Sequence, residues 1–534
     1  MMNDGPRMSS VRRNLPTEAG HRKIFPVVHH SRFRVRHSSF IIHHSSFPNR
    51  AAVLVLVLWC VVILSILVLN LAFLTKTHVR ITANYADTNA LHNIAFAGVE
   101  YAVATIRGDT GPVDDFSDGW ADGKALRNIP VGDGFFSLVR DGDSGAPEYG
   151  IEDEASKLNL CTATEETLMR LPGMTPELAQ ALLDWQDTDT QPHPMGAEND
   201  YYESLTKPRP CKNGKLTTLA ELLLVKGFTP SVLYGEDLNG NGLLDPNEDD
   251  GDASPPNDNQ DGVLDRGILP YVTIYSVDKN VTPDGKPRVN ITQADESTLK
   301  TSIPGLSDAE AKAIVSYRGG NQFQNVGDLL RVTEPQPNAP QQQQPQQDEG
   351  AAGQDDGGSR SGNRDLESRR LRSGSFRERS PRSGGESPDG SAPSQPAPAA
   401  APTGKKVFTP DRLKQIISYC AIVGDTTTEG RINVNTASKA VLQTLPGVSE
   451  TLAQAVVDYR SRPGESFQNI AGLLDVPGMT EDVFIPLSNQ VTVRSFQFRV
   501  KSQARIEGVN AQRTAVAVLD RTEDKIKTVY WNEY

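Results

Sequence analysis

Three patterns of hydrophobic and polar positions succeed one another along this chain. Residues 51–74 are apolar, with no charge and no proline, and only Ser65 and Asn70 interrupt them. As a helix this run rises about 36 Å, which predicts a membrane span with some tilt. Behind it Leu91, Ile94, Gly98, Tyr101 and Ala102 recur at steps of three and four, so one helix should continue with a single apolar stripe. It should end near Arg107, ahead of Gly108 and Gly111. The third pattern is two-residue alternation. It predicts strands at Gly134 to Arg140 and Tyr149 to Asp153, and again at the far C-terminus through Val491, Val493, Phe496, Phe498 and Val500. Further strands are expected at Thr514 to Asp520 and Lys525 to Trp531. The long helix therefore leads into one sheet, split by an insertion over roughly residues 154–488.

Charge adds a direction. Residues 1–50 carry a formal +7 while the whole chain carries −13, which leaves −20 on the remainder. Basic flanks stay in the cytoplasm during insertion, so the C-terminal part should lie outside. The far side of the span, Thr75-Lys76-Thr77-His78, offers no small-residue cleavage site of the secretory kind. Residues 1–50 read as a basic, unstructured leader, or as sequence upstream of the true start. An ordinary signal anchor shares these features.

The insertion repeats itself. Lys157-Leu158-Asn159-Leu160 leads to Pro172-Gly173, Arg288-Val289-Asn290-Ile291 to Pro304-Gly305, and Arg431-Ile432-Asn433-Val434 to Pro446-Gly447. After each Pro-Gly turn, Ala179, Leu182 and Trp185, or Ala311, Ile314 and Tyr317, or Ala453, Val456 and Tyr459, share one helix face. These segments resemble helix-hairpin-helix motifs, which bind DNA in many proteins through backbone amides at a glycine-rich turn. A membrane-anchored DNA-uptake protein is thus the alternative function. Against it, the turns continue with Thr175, Ser307 or Ser449 where a second glycine would allow close approach. The first turn is also flanked by Glu165, Glu166 and Glu177, and the net charge repels a polyanion. Nucleic acid is therefore not the expected partner.

Asp237-Leu238-Asn239-Gly240-Asn241-Gly242-Leu243-Leu244-Asp245-Pro246-Asn247-Glu248 fits a twelve-residue calcium loop. Side chains of Asp237, Asn239, Asn241, Asp245 and Glu248, with the Leu243 carbonyl, would supply hard oxygen ligands suited to structural Ca²⁺. A weaker copy uses Asn257, Asn259, Asp261, Val263 and Asp265, but its twelfth position is Ile268. Residues 335–405 are so poor in large apolar side chains that a disordered linker is expected. Cys60 lies in the span, and Cys161 with Cys211 is the pair available for a bond. No nucleophile elbow, phosphate loop or paired metal motif points to an enzyme.

The membrane edge, Asn49-Arg50-Ala51-Ala52-Val53-Leu54-Val55-Leu56-Val57-Leu58-Trp59, resembles the start of type IV pilin-like proteins, and most closely that of the minor pseudopilin family called type II secretion system protein K. The resemblance extends through Leu183-Asp184-Trp185-Gln186-Asp187-Thr188-Asp189, Gly196-Ala197-Glu198-Asn199-Asp200-Tyr201-Tyr202 and Leu219-Ala220-Glu221-Leu222-Leu223-Leu224. It implies leader cleavage by a prepilin peptidase between Ala51 and Ala52, and a single-pass inner-membrane anchor with a cytoplasmic N-terminus and a periplasmic head. It also implies other minor pseudopilins as partners, and a place at the tip of the secretion pseudopilus. The expected fold is α+β: a pilin-like long N-terminal helix, transmembrane in its first half, and an antiparallel sheet interrupted by a helical insertion with helix-hairpin-helix-like repeats. The expected layout is a leader at 1–50, the helix at 51–107, the first part of the sheet at 108–153 and the first hairpin domain at 154–235. Calcium loops follow at 236–270, the second hairpin at 271–334, the linker at 335–405, the third hairpin at 406–488 and the closing strands at 489–534.

Overall fold

The computed structural model describes residues 50–121, 123–140, 148–240, 244–334 and 404–534. Residues 1–49 of the leader and 335–403 of the expected linker lie outside them. The chain divides into two compact units, Met1–Arg80 and Ile81–Tyr534.

In the first unit the described residues are all helical and belong to the helix Arg50–Gly108. Every side chain from Val53 to Leu74 is exposed, and large ones such as Leu56 and Trp59 are about two-thirds so (65% and 64%). An apolar surface of this extent needs lipid or protein around it. The helix is the one described segment long and apolar enough to cross a membrane. Two of its polar side chains are satisfied locally: Asn70 Nδ2 donates to the Ile66 carbonyl at 2.9 Å and Thr75 Oγ1 to that of Leu71 at 2.8 Å. Such i−4 bonds let a polar side chain sit in hydrocarbon without an orphan donor.

In the second unit the same helix turns amphipathic. Leu91, Ile94, Ala95, Val99, Ala102 and Ile106 are buried against Phe136, Leu138, Phe498, Val500, Ala515 and Ala517 of a sheet. Gly98 allows the close approach, because a Cβ there would fall 2.0 Å from Ser502 Oγ. The sheet is antiparallel, in the order Ile129–Val131, Gly134–Arg140, Gln497–Ile506, Gln512–Asp520, Lys527–Glu533. Glu148–Tyr149 pairs onto Gly134–Arg140, and Glu152–Asp153 onto Gln497–Ile506. Strands from before and after the insertion are thus direct neighbours, with Ser502 opposite Leu138 and Phe498 opposite Asp153.

The structure corrects several sequence readings. Val491 and Val493 are not in this sheet: Val491–Thr492 pairs in parallel with Ile432–Asn433, since alternation alone does not say which surface an apolar pair covers. Tyr149 to Asp153 is two short strands, not one, because Gly150 breaks the run at φ 157°. The last strands are Gln512–Asp520 and Lys527–Glu533. Cys161 and Cys211 are free thiols, as are Cys60 and Cys420.

Where the chain leaves the sheet and where it returns, a buried polar joint ties sheet to insertion. The Asp153 carboxylate accepts from the Ala155 amide at 2.7 Å, Thr436 Oγ1 at 2.5 Å, Ser495 Oγ at 2.6 Å and Asn433 Nδ2 at 3.1 Å. Asn433 Nδ2 also donates to the Asp114 carbonyl at 3.1 Å. Asp114 accepts from the Ser495 amide at 2.8 Å and pairs with Arg521, which reaches Asp109 at 2.9 Å. Burial pushes the Asp153 carboxyl above its usual range, and the four donors work against that shift. Removing the acceptor would leave buried donors unmet, each at a cost of about 1–3 kcal/mol. Asp153→Ala should therefore destabilise the second unit by roughly 3 kcal/mol, and Asp153→Asn by clearly less. Denaturant melts of the two variants check this, and equal losses would contradict it.

Candidate functional site: hairpin turns and acidic clusters

The three repeats build three similar modules. In each, the Asn side chain accepts from the amide two residues on: Asn159 from Cys161 at 2.9 Å, Asn290 from Thr292 at 2.9 Å and Asn433 from Asn435 at 3.0 Å. Two helices then meet at a Pro-Gly turn whose glycine takes positive φ, 71° at Gly173, 70° at Gly305 and 75° at Gly447. This is the conformation that favours glycine. Pro172, Pro304 and Pro446 precede these glycines. A 3₁₀ turn follows (Leu219–Leu224, Val326–Arg331 or Ile470–Asp475), then a short helix capped by Thr229, Thr409 or Thr480.

Each module closes on itself through a two-residue parallel pairing: Leu158–Asn159 with Val272–Thr273, Val289–Asn290 with Cys420–Ala421, and Ile432–Asn433 with Val491–Thr492. These closures place the insertions. The calcium-loop region interrupts the first module between its last helix and its closing strand. Residues 335–403 interrupt the second, whose edges are clasped by the Val407 amide on the Val332 carbonyl at 2.9 Å and the Glu334 amide on the Lys405 carbonyl at 3.0 Å.

At the turns, Thr175, Ser307 and Ser449 cap the helices that follow, accepting from the amides of Leu178 at 3.4 Å, Glu310 at 3.3 Å and Leu452 at 3.2 Å. Glu310 reaches back to the Ser307 amide at 2.8 Å. One amide in the first turn of each following helix is thus engaged by a side chain, and in the second module the Ser307 amide as well.

Of the first expected calcium loop, Asn241 and Leu243 lie outside the described residues. The structure gathers the others. Asp237 and Glu248 are buried, Asn239 Nδ2 donates to Asp245 Oδ2 at 2.8 Å, and the Asp245 amide donates to Glu248 Oε2 at 3.0 Å. Burial first, and then the carboxylates of Asp237, Asp245 and Glu236, push the Glu248 carboxyl above its usual range. A cation there would offset that repulsion. In the second loop the side chains hold their own backbone: Asn259 accepts from the Asp261 amide, and Asp261 from that of Val263, both at 2.8 Å. Asp265 accepts from the Gly267 amide at 2.9 Å, while Asn257 is exposed and Ile268 is buried in the core. These are Asx turns, and not a converged ligand set. Glu236 joins the two loops, accepting from the Asn259 amide at 3.3 Å and the Asp265 amide at 3.0 Å.

A second acidic cluster escaped the sequence reading. Behind the helix Pro176–Gln186, oxygens of Asp187, Asp189 and Glu198 lie within 4.8 Å of one another, and Asp184, Asp187 and His193 form an adjoining group. Asp184 is fully engaged, accepting from the Ala197 amide at 2.6 Å, the His193 amide at 3.1 Å and the His193 ring. Its carboxylate leaves no room for a Cβ at position 196, which would stand 1.8 Å from Oδ2 and so requires Gly196. Asp187 Oδ1 and both oxygens of Glu198 are buried without a hydrogen-bond donor. Burial, then Asp187 and Asp184, push the Glu198 carboxyl upward. Three hard oxygen donors in that state suit a divalent cation of the calcium kind. The signal was the Asp-x-Asp step after a helix followed by a buried Glu, which has no glycine turn to mark it as a loop.

Fold and sites together describe a chain with a membrane-crossing candidate helix, an antiparallel sheet packed on that helix, and helix-hairpin-helix modules bearing acidic clusters. Residues 140–234 match the model of the family described as type II secretion system (T2SS), protein K, and residues 285–346 and 428–492 match that of the helix-hairpin-helix motif. A protein of Escherichia coli (strain K12) named for type II secretion system protein K is 38% identical over 60 residues, 11% of this chain and 18% of that protein. The chain thus spans under a fifth of the length of that curated relative. A chain in the crystal structure of the GspK-GspI-GspJ complex from the enterotoxigenic Escherichia coli Type 2 Secretion System aligns with TM-score 0.41 and 11% identity, over 85% of this chain and 99% of that one. The family model and the curated relative bear out, over the residues they match, the resemblance to type II secretion system protein K read from the sequence.

Glu198→Gln should raise the melting temperature in chelator, by removing an uncompensated carboxylate, and lower it relative to wild type in millimolar calcium. Paired melts read this crossover. A shift of the same sign in both conditions would exclude cation binding at Glu198.

Proposed function

We propose that this chain is a minor pseudopilin at the tip of the type II secretion pseudopilus, serving protein export across the outer membrane. The observation that carries the proposal is the match of residues 140–234 to the protein K family, on a chain whose apolar helix runs without a break into the sheet-bearing unit. The helix anchors the chain once in the inner membrane, and the basic residues before it keep the N-terminus cytoplasmic and the head periplasmic. Prepilin peptidase cuts between Ala51 and Ala52, freeing the helix to leave the lipid. The partners are other minor pseudopilins, which cover the apolar face of the helix once it is extracted. A head enlarged by three modules suits the end of a filament, where no subunit need stack above it.

Calcium is the structural cofactor of this reading. Asp237, Asn239, Asn241, Leu243, Asp245 and Glu248 form one site, and Asp187, Asp189 and Glu198 a second. In both, a metal would offset the repulsion among partly buried carboxylates.

The helix-hairpin-helix matches favour DNA uptake as a second reading. The capped turns, with Glu165, Glu166 and Glu177 beside the first of them, argue for packing modules instead.

Deleting the gene should abolish export of the secreted substrates while leaving DNA uptake unchanged. The membrane-extracted protein should begin at Ala52 and co-purify with pilin-like subunits. A gel shift with duplex DNA at moderate salt, together with intact secretion in the deletion strain, would replace this reading by the second.

A further inference from the structure

The residue two places before the Asn of each module is basic: Lys157, Arg288 and Arg431. In the first module Lys157 Nζ meets Glu152 Oε1 at 3.0 Å, with both side chains nearly buried. In the third, Arg431 meets Asp278 Oδ2 at 2.9 Å. In the second, Arg288 has no ion pair among the described residues, and its Nε is buried without an acceptor. The charges around it are Asp278, whose Oδ2 is already held by Arg431, and two further guanidiniums, Arg431 and Arg494. Arg494 Nε is also buried without an acceptor, and its guanidinium stacks 5.2 Å from the centre of the Phe496 ring. Arg288 is thus flanked by two further guanidiniums and by Asp278, whose Oδ1 is buried without a donor, in a chain whose overall charge is strongly negative.

Arg288 and Arg431 line a cavity of about 40 Å³, together with Ser418, Asn469 and Asn489. The amides of Asn469 and Asn489 are spent on the Lys414 and Gln324 carbonyls, and Arg431 gives Nε to the Asn489 carbonyl and Nη1 to Asp278, so the donors left to a guest include the Arg288 guanidinium, Arg431 Nη2 and the Ser418 hydroxyl. The cavity is large enough for a group of a few heavy atoms and too small for a peptide segment.

We propose that Arg288, with Arg431, receives one oxyanion, a carboxylate or a phosphate group, in the role that Glu152 plays for Lys157 and Asp278 for Arg431. Guanidiniums suit such a guest because their planar fork donates two parallel hydrogen bonds. The anion is either free in solution or the acidic side chain of another protein. The inference stands apart from the secretion reading, since it uses only the comparison between modules.

The test is a melt of the detergent-solubilised full chain at constant ionic strength, titrated in one arm with inorganic phosphate and in the other with N-acetylaspartate, with chloride as the reference. Wild type should gain about 2 °C at saturation with at least one probe. A phosphate-only response identifies a free tetrahedral anion, and a response to N-acetylaspartate identifies an acidic side chain as the source. Arg288→Gln should lose the response, while Lys286→Gln, on an exposed side chain paired with Asp284, should keep it. Should Arg288→Gln not fold, Ser418→Asp supplies the test, since a carboxylate placed inside the cavity should raise the melting temperature of the probe-free protein and abolish the response. The proposal is overturned if neither probe stabilises wild type, or if Arg288→Gln or Ser418→Asp responds as wild type does.

Discussion

Asp153 is the residue on which the second unit's continuity rests. A sheet whose neighbouring strands are separated by more than three hundred residues must hold both ends of its insertion in register, and hydrophobic contact alone does not fix direction. The carboxylate does so by accepting simultaneously from the chain that departs, through the Ala155 amide, the chain that returns, through Ser495, and the third module, through Asn433 and Thr436. Asp114 and Arg521 repeat this logic a few residues away, tying the end of the long helix to the same return point. Buried polar groups specify a geometry because any other arrangement leaves them unmet.

From that joint the modules follow as a chain of closures. Each begins at an Asn strand and ends beside it, so the polypeptide re-emerges next to where it left and starts again. Closure by a parallel pair explains why two modules tolerate large interruptions. Material inserted between a module's last helix and its closing strand, or at the turn before that helix, does not alter where the ends must meet. The entropic cost of a longer loop rises only logarithmically once its base is fixed.

Elements with local signatures were legible in the sequence: the apolar span, the stripe through Leu91 and Ile94, the Pro-Gly turns, the strand Gly134–Arg140 and, from Thr514 on, the strand Gln512–Asp520. The parallel closures were not, because two residues carry no periodicity and their partners lie 59 to 131 positions away, as between Asn433 and Thr492 or Asn290 and Ala421. Val491 was consequently assigned to the wrong surface. The same limit hid the cluster of Asp187, Asp189 and Glu198. A calcium loop of twelve residues announces itself through spacing and a glycine, whereas ligands drawn from a helix end and a later loop converge only in three dimensions.

Burial decides how these charges behave. Exposed acidic residues on a negative protein are screened by water and salt and require nothing. Glu198 and Glu248 differ because they are buried near other carboxylates, and burial and those neighbours push both carboxyls above their usual range. Arg288 presents the opposite sign of the same problem, and a guanidinium has no proton to give up near neutral pH. Its charge is met by a counter-ion or left at a cost to stability. Packing that strands charges of both signs at separate points is difficult to explain by folding stability alone, because neutral residues would fill the same volume more favourably. On the function proposed above, such sites are points where an ion or a neighbouring subunit would complete the structure.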